Sequence, residues 1–270
     1  MTFTRSSLVV LAVLSAGAAG AQPAPAPPPI QSAPPSEPAP TPPGLPTAEA
    51  ILQKYRDAIG GEAAIRKHTS RRFKGTFEIP AQGMKGDLTV TAMAPNLMTV
   101  VVTLPGLGEL RRGFDGKVAW SVDPAIGPRL LEGREADEFK HSADFYDDLH
   151  EPSKFKSITV VGKGPFEGQD CYEVKLVRDS GFEYTEYFSV DTGLIVGGKL
   201  KASSQMGEVP VTTVSGEYKA FDGVLVPTVT KQKMMGLEQV VTITSVSFDP
   251  VDPSEFALPP AIQALVGQQK

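Results

Sequence analysis

The sequence is poorest in cysteine, with a single residue, Cys171, among 270. One thiol cannot close an internal disulfide, so the core must hold the fold together. Its setting, Cys171-Tyr-Glu-Val-Lys-Leu176, is strand-like, which favours a buried structural thiol over a reactive one. Histidine is almost as scarce. His68, His141 and His150 form no HExxH pair, and gaps of 73 and 9 residues describe no metal motif. There is no G-x-S-x-G elbow, and no helix follows Gly106-Leu-Gly108 to make a phosphate cradle. Asp191-Thr192-Gly193 occurs once, at a hairpin corner, where Asp and Gly act as turn formers. No residues single themselves out for catalysis, and no cofactor is implied.

Long basic runs are also missing. A formal charge of −5 argues against nucleic acid and against tight electrostatic docking on an anionic membrane. No apolar run reaches the roughly 20 residues of a membrane span. The one that comes nearest, Leu8–Leu14, follows Arg5 and continues through small residues to Ala19-Gly20-Ala21. That is the pattern of a cleavable export leader, expected over 1–21, and it directs the chain to the periplasm. No cysteine stands at the cleavage point to be acylated, so no stable membrane anchor is expected. The leader's only charge is Arg5, and its removal leaves −6. Residues 22–46 are nearly all Pro, Ala, Ser and Thr, an extended linker with too little apolar surface to fold. One folded domain, 47–270, remains.

That domain opens with a helix. Thr47 is a suitable N-cap, Ile51, Tyr55, Ala58 and Ile59 recur at helical spacing, and Gly60-Gly61 ends the run. A short second helix is expected over Glu62–His68. The period then changes to two. Strands are expected over Arg72–Ile79, Met84–Ala92, Leu97–Leu104, Leu110–Phe114 and Val118–Val122, the last two joined by Asp115-Gly116 as a two-residue hairpin. A helical segment at Gly133–His150 puts Phe139, Ala143 and Tyr146 on one stripe, with Phe145 and Leu149 beside it. Its His141, Asp144, Asp147, Asp148 and His150 are expected to form a solvated charged face.

Strands resume at Lys156–Val161, Cys171–Arg178, Glu183–Val190, Leu194–Ser203, Val209–Phe221, Val224–Lys233 and Gln239–Phe248. A helix near Pro260–Val266 closes the chain. The fold class is α+β and mostly antiparallel β, without β-α-β alternation. Ten or more strands must curl or close, and helices outside the sheet must cover its concave face or its edges. A hollow of lipid size beneath them is expected. The apolar residues offered for it are Phe77, Met84, Leu88, Met93, Met98, Leu104, Leu107, Leu110, Trp120, Phe139, Phe145 and Tyr146. Methionine adapts to irregular apolar shapes, and Leu104-Pro-Gly-Leu-Gly-Glu-Leu110 is a candidate lip.

Several phrases, in this order, carry a resemblance. They are Ile59-Gly-Gly61, Gly75-x-Phe77, Gly83-Met-Lys-Gly86, Ala94-Pro95-Asn96, Gly113-Phe-Asp-Gly-Lys-Val-Ala-Trp120 and Gly127-Pro-x-x-Leu-x-Gly133. Later come Cys171-Tyr-Glu-Val174, Tyr187-Phe188, Asp191-x-Gly193-Leu194 and Tyr218-x-x-Phe-Asp-Gly-Val-Leu-Val-Pro227. From Thr47 to Pro259 the chain resembles the LolA-like outer-membrane lipoprotein-sorting proteins. The resemblance implies an unclosed, strongly curved β-barrel lidded by helices. It further implies a periplasmic, non-catalytic carrier or chaperone for acyl chains of lipoproteins or another amphiphile, with membrane-protein partners on either side. The alternative it carries is a sensor or interaction module on the same fold. It also implies an early-strand arginine that steadies the lid; Arg71, Arg72, Arg111 and Arg112 all stand in that region, and motif matching assigns none of them.

Overall fold

The computed structural model describes residues 42–204 and 207–268. The expected leader, and the linker up to residue 41, lie outside the described residues. Helix α1 (Ala48–Ala58) begins where Thr47 Oγ1 accepts a hydrogen bond from the Ala50 amide at 3.2 Å. It buries Ile51, Leu52 and Tyr55 against the sheet. Gly60, at φ +116°, then turns the chain; a Cβ there would stand 2.3 Å from the Gly223 carbonyl oxygen. The five-residue α2 (Glu62–Arg66) follows.

Six strands form the first meander: β1 (Ser70–Ile79), β2 (Met84–Met93), β3 (Leu97–Leu104), β4 (Gly108–Phe114), β5 (Ala119–Asp123) and β6 (Gly127–Leu130). Helix α3 (Gly133–Ala143) and two short 3₁₀ turns lead out of it. The second meander is β7 (Phe155–Phe166), β8 (Gln169–Arg178), β9 (Glu183–Ser189), β10 (Ile195–Ser204), β11 (Gly207–Phe221), β12 (Val224–Met234) and β13 (Leu237–Ser247). Helix α4 (Pro260–Gln268) ends the described chain beside β6.

All thirteen strands belong to one sheet in the order 6-5-4-3-2-1-13-12-11-10-9-8-7. Every pairing is antiparallel, and the first strand joins the last. The sheet does not close: β6 and β7 are its two edges, and residues 131–154 carry the chain from one to the other. Strong curvature lets side chains from distant strands meet. Leu110 and Phe114 of β4 share one apolar cluster with Val174 and Leu176 of β8 and with Ile51 and Leu52 of α1.

Local differences from the sequence reading have physical causes. Phe114 pairs with Ala119, so the turn at Asp115-Gly116 has four residues rather than two. Asp115 Oδ1 accepts from the amides of Lys117 (2.9 Å) and Val118 (2.7 Å), which holds the longer turn. Asp222-Gly223 is a true two-residue hairpin with φ of +48° and +85°. Strand β6 is not among the expected strands: four residues that include Pro128 are too few to show an alternation. The helical segment ends at Ala143, where Asp144 takes an extended conformation.

The joint between the meanders is tight. Register slips between Lys74 and Gly75, and a Cβ on Gly75 would stand 2.0 Å from the Thr242 carbonyl oxygen. Gly75→Ala is expected to cost about 2–3 kcal/mol by overpacking. Gly164→Ala, with no atom within 4 Å of the added methyl, should change stability by less than about 0.5 kcal/mol. Urea unfolding of both checks this; equal stabilities would mean that the joint tolerates a methyl.

Candidate ligand-binding face and its buried charges

Strand parity decides which candidate residues meet. Phe77, Leu88, Met98, Leu104 and Leu110 face the concave side, where Phe139 and Phe145 close over them in one buried cluster. Met84 and Tyr146 are partly buried against the same cluster. Three candidates lie elsewhere. Leu107 is 57% exposed at the β3–β4 hairpin tip. Met93 pairs with Leu97 on the convex parity of β2. Trp120 pairs with Gly113 and alternates with the inward Ala119, so it faces the convex side and is buried there. A Cβ at Gly113 would stand 2.4 Å from its indole, which explains that glycine.

The crossover between the sheet edges lies over the concave face and is fastened by charge. On α3, Ala136, Phe139 and Ala143 point inward. Glu135 on its flank binds Arg112 of β4 and Arg129 of β6, the latter at 2.7 Å. Beyond α3 the Phe145 amide donates to the Pro95 carbonyl at 2.9 Å, and the Tyr146 hydroxyl donates to the His68 carbonyl at 3.0 Å.

The acidic stretch after α3 is not a solvated face. Asp147, Asp148 and His150 are 4%, 2% and 4% exposed. The helix stops at Ala143, and the redirected chain turns these groups toward charged and polar partners on the sheet and on α1. Asp147 pairs with Arg178 of β8, and Asp148 accepts from the Tyr55 hydroxyl of α1 at 3.3 Å. Arg56 of α1 donates to the Leu149 carbonyl at 3.3 Å. His150 donates from Nδ1 to the Asp148 carbonyl at 2.9 Å, and its Nε2 lies 2.8 Å from Glu186 Oε2 of β9. Arg71 of β1 lies under the Phe145 ring, 4.4 Å from its centroid.

Environment sets these charges. Burial alone would strip the proton from His150, but Glu186 outweighs it and raises the pKa above the ordinary histidine value. Burial likewise opposes the Arg178 charge, and Asp147 reverses the effect. Burial lowers the Arg71 pKa, with Asp148 the largest opposing influence. Burial, and then Asp148, raises the Tyr55 phenol and keeps it a neutral donor. His141 stays on α3 and is turned to other partners: it lies 2.8 Å from Ser180 Oγ and stacks on Phe182. Burial, with Arg178 second, lowers its pKa to about 4. Among the described residues no group of three or more His, Cys, Asp or Glu side chains could hold a metal ion. Cys171 is buried, and burial pushes its thiol up to about 11, which leaves it unreactive.

Motif searching passed over Arg178 and Glu186 and left Arg71 unassigned among four arginines. Parity would have found them. Arg71 shares its face with Phe73 and Phe77, and Arg178 shares its face with Val174 and Leu176, so each is an inward-facing charge in need of a partner. A cleft of about 120 Å³ lies between α1 and the β9–β10 turn, lined by Ile51, Lys54, Tyr172 and Phe188 among others. It is smaller than the roughly 300–1,000 Å³ of typical ligand pockets.

No protein-family model matches this sequence, and no curated protein matches it. Solved structures do. A LolA superfamily protein from Nitrosomonas europaea aligns at 15% identity over 79% of this chain and 99% of its own, with a TM-score of 0.54. A DUF1329 family protein from Desulfovibrio piger aligns at 11% identity over 78% and 97%, with a TM-score of 0.56. An outer membrane lipoprotein-sorting protein domain from Vibrio parahaemolyticus aligns at 14% identity over 77% and 97%, with a TM-score of 0.52. The chain therefore has the LolA-like fold that its sequence phrases resemble.

Asp147→Ala, which leaves Arg178 buried without its carboxylate, is expected to cost about 3–5 kcal/mol in urea unfolding. The Asp147→Leu, Arg178→Met double variant should recover most of that loss; a single variant as stable as the parent would show the pair to be inert.

The two histidines should act in opposite pH windows. His150 contributes stability in full below about pH 6.5 and loses it as pH rises through its higher folded value. For His141 the contribution is present above about pH 6.5 and is lost as pH falls toward 4. Unfolding free energy against pH should lose its alkaline decline in His150→Gln and part of its acid decline in His141→Gln.

Proposed function

We propose that the protein is a periplasmic carrier or chaperone that holds the acyl chains of lipoproteins, or another amphiphile, against its concave face without covalent chemistry. One observation carries the reading. An unclosed sheet presents a wall of apolar side chains, and its cover is a crossover fastened mainly by side chains, outside the strand ladder. Such a cover can lift without breaking the sheet. Ten methylenes leaving water gain roughly 8 kcal/mol, and that gain is what a ligand sets against the cover's own apolar contacts and its ion pairs. The three similar folds support the reading, one of them from a lipoprotein-sorting protein. The leader-like start supports the compartment. Among the described residues no helix is long and apolar enough to cross a membrane.

Protein purified gently from its own periplasm should begin at Gln22 and release acyl lipid on extraction, with a matching mass increment in native mass spectrometry. A ligand-free mass under mild conditions, with no lipid in the extract, would overturn the carrier reading.

A further inference from the structure

Across the β1–β13 joint the concave face gains an uncharged polar patch. On β1 to β4 it is mainly apolar, with Arg71 and Arg112 as charged members; on β11, β12 and β13 the apolar Val226, Val241 and Ile243 share it with Thr213, Ser215, Thr230, Gln232 and Gln239, each of these five 4–6% exposed. Their register makes them a patch and not a scatter. Thr213 pairs with Gln232 and Gln232 with Gln239, forming one polar row across three strands. Two residues along, Ser215 pairs with Thr230, Thr230 with Val241, and Val241 with Phe77 of the apolar wall. That last pairing fixes all of them on the concave side. The other end of the first row runs from Thr213 through Gly198, which has no side chain to fill the space, to Glu186.

Three properties of the patch narrow what it fits. Ser215 Oγ is fully buried and has no hydrogen-bond partner among the described residues, which is uncommon enough in native interiors to call for an explanation. Glutamine amides and hydroxyls offer both donors and acceptors, so they match ester carbonyls and alcohols. Among the described residues no lysine or arginine stands in the patch, and the neighbouring carboxylate, Glu186, is already engaged by His150. A free carboxylate or phosphate would find no countercharge there.

We propose that this patch is the subsite for an uncharged polar head of the acylglycerol type, with the acyl chain laid from Val241 across Phe77 toward β2 and β3. The assignment rests on the carrier reading and adds the head-group chemistry and the direction in which the ligand lies. An apolar wall alone would select by chain length, whereas wall and patch together select by head group and orient the ligand.

Binding of 1-monooleoylglycerol and of oleate to the mature full-length protein, by isothermal titration calorimetry, tests it. The Thr230→Val, Gln232→Leu variant keeps side-chain volume and removes hydrogen bonding, so monooleoylglycerol affinity should fall about tenfold while oleate affinity holds or rises. Ser215→Ala removes one oxygen and should weaken only the glyceryl ester, by a smaller factor; it serves if the double variant fails to fold. Unchanged monooleoylglycerol affinity in the folded variants would overturn the subsite and leave the carrier reading standing. Failure of the parent protein to bind either lipid would overturn both.

Discussion

The pairing of the first strand with the last governs the molecule. Without β1 against β13 the chain would be two separate meanders, each with an apolar face and nothing to bury it against. Once they join, thirteen strands share one curvature and their inner faces converge. The contact is distant in sequence: Ser70 Oγ donates to the Asp249 carbonyl across 179 positions. Loop closure of that length costs only slightly more entropy than one half as long, so the joint is thermodynamically affordable although late to form. Its tightness at Gly75 follows, because the two strands must approach closely for the register slip to be absorbed.

A closed apolar cover would be simpler than the one observed. Beneath the crossover, Arg71, Arg178 and His150 instead meet Asp147, Asp148 and Glu186 in the interior. Taking such groups out of water is expensive, and apolar residues of equal volume often stabilise a fold as well or better. What the charges provide is position. Each pairs a group on the crossover with one on a particular strand, so the cover has one seating, whereas packed leucines and phenylalanines could slide. Tyr55 and Arg56 bring α1 into the same arrangement, and helix and crossover therefore seat together.

Strand alternation made most of this legible. Leu97–Leu104 matches β3, and the other expected strands lie on observed ones with ends shifted by a few residues. What failed did so for identifiable reasons. The helical period seemed to continue past Ala143 because Tyr146 and Leu149 fall at helical spacing, and that put Asp147 and Asp148 on an imagined outer face. Trp120 is offered for the hollow only as an apolar residue; its neighbours Ala119 and Phe114 show the parity that puts it on the convex side. The β1–β13 joint left no local trace, since pairing across most of the chain has no turn to announce it. The polar patch was visible as threonine and glutamine in late strands but had no meaning until the sheet curved.

An unclosed barrel has two bare edges, and bare edges recruit foreign strands. Both edges here are poor templates. β6 has four residues, one of them Pro128, which cannot donate to a ladder. β7 is long, but its register slips twice, between Phe155 and Ser157 and between Val160 and Gly162, and it carries Lys156, Lys163 and Pro165. A straight incoming strand would meet kinks, charge and a missing donor. The gap between the two edges therefore stays open without offering a neighbouring copy a strand to extend, which is the usual route from an unclosed sheet to an aggregate.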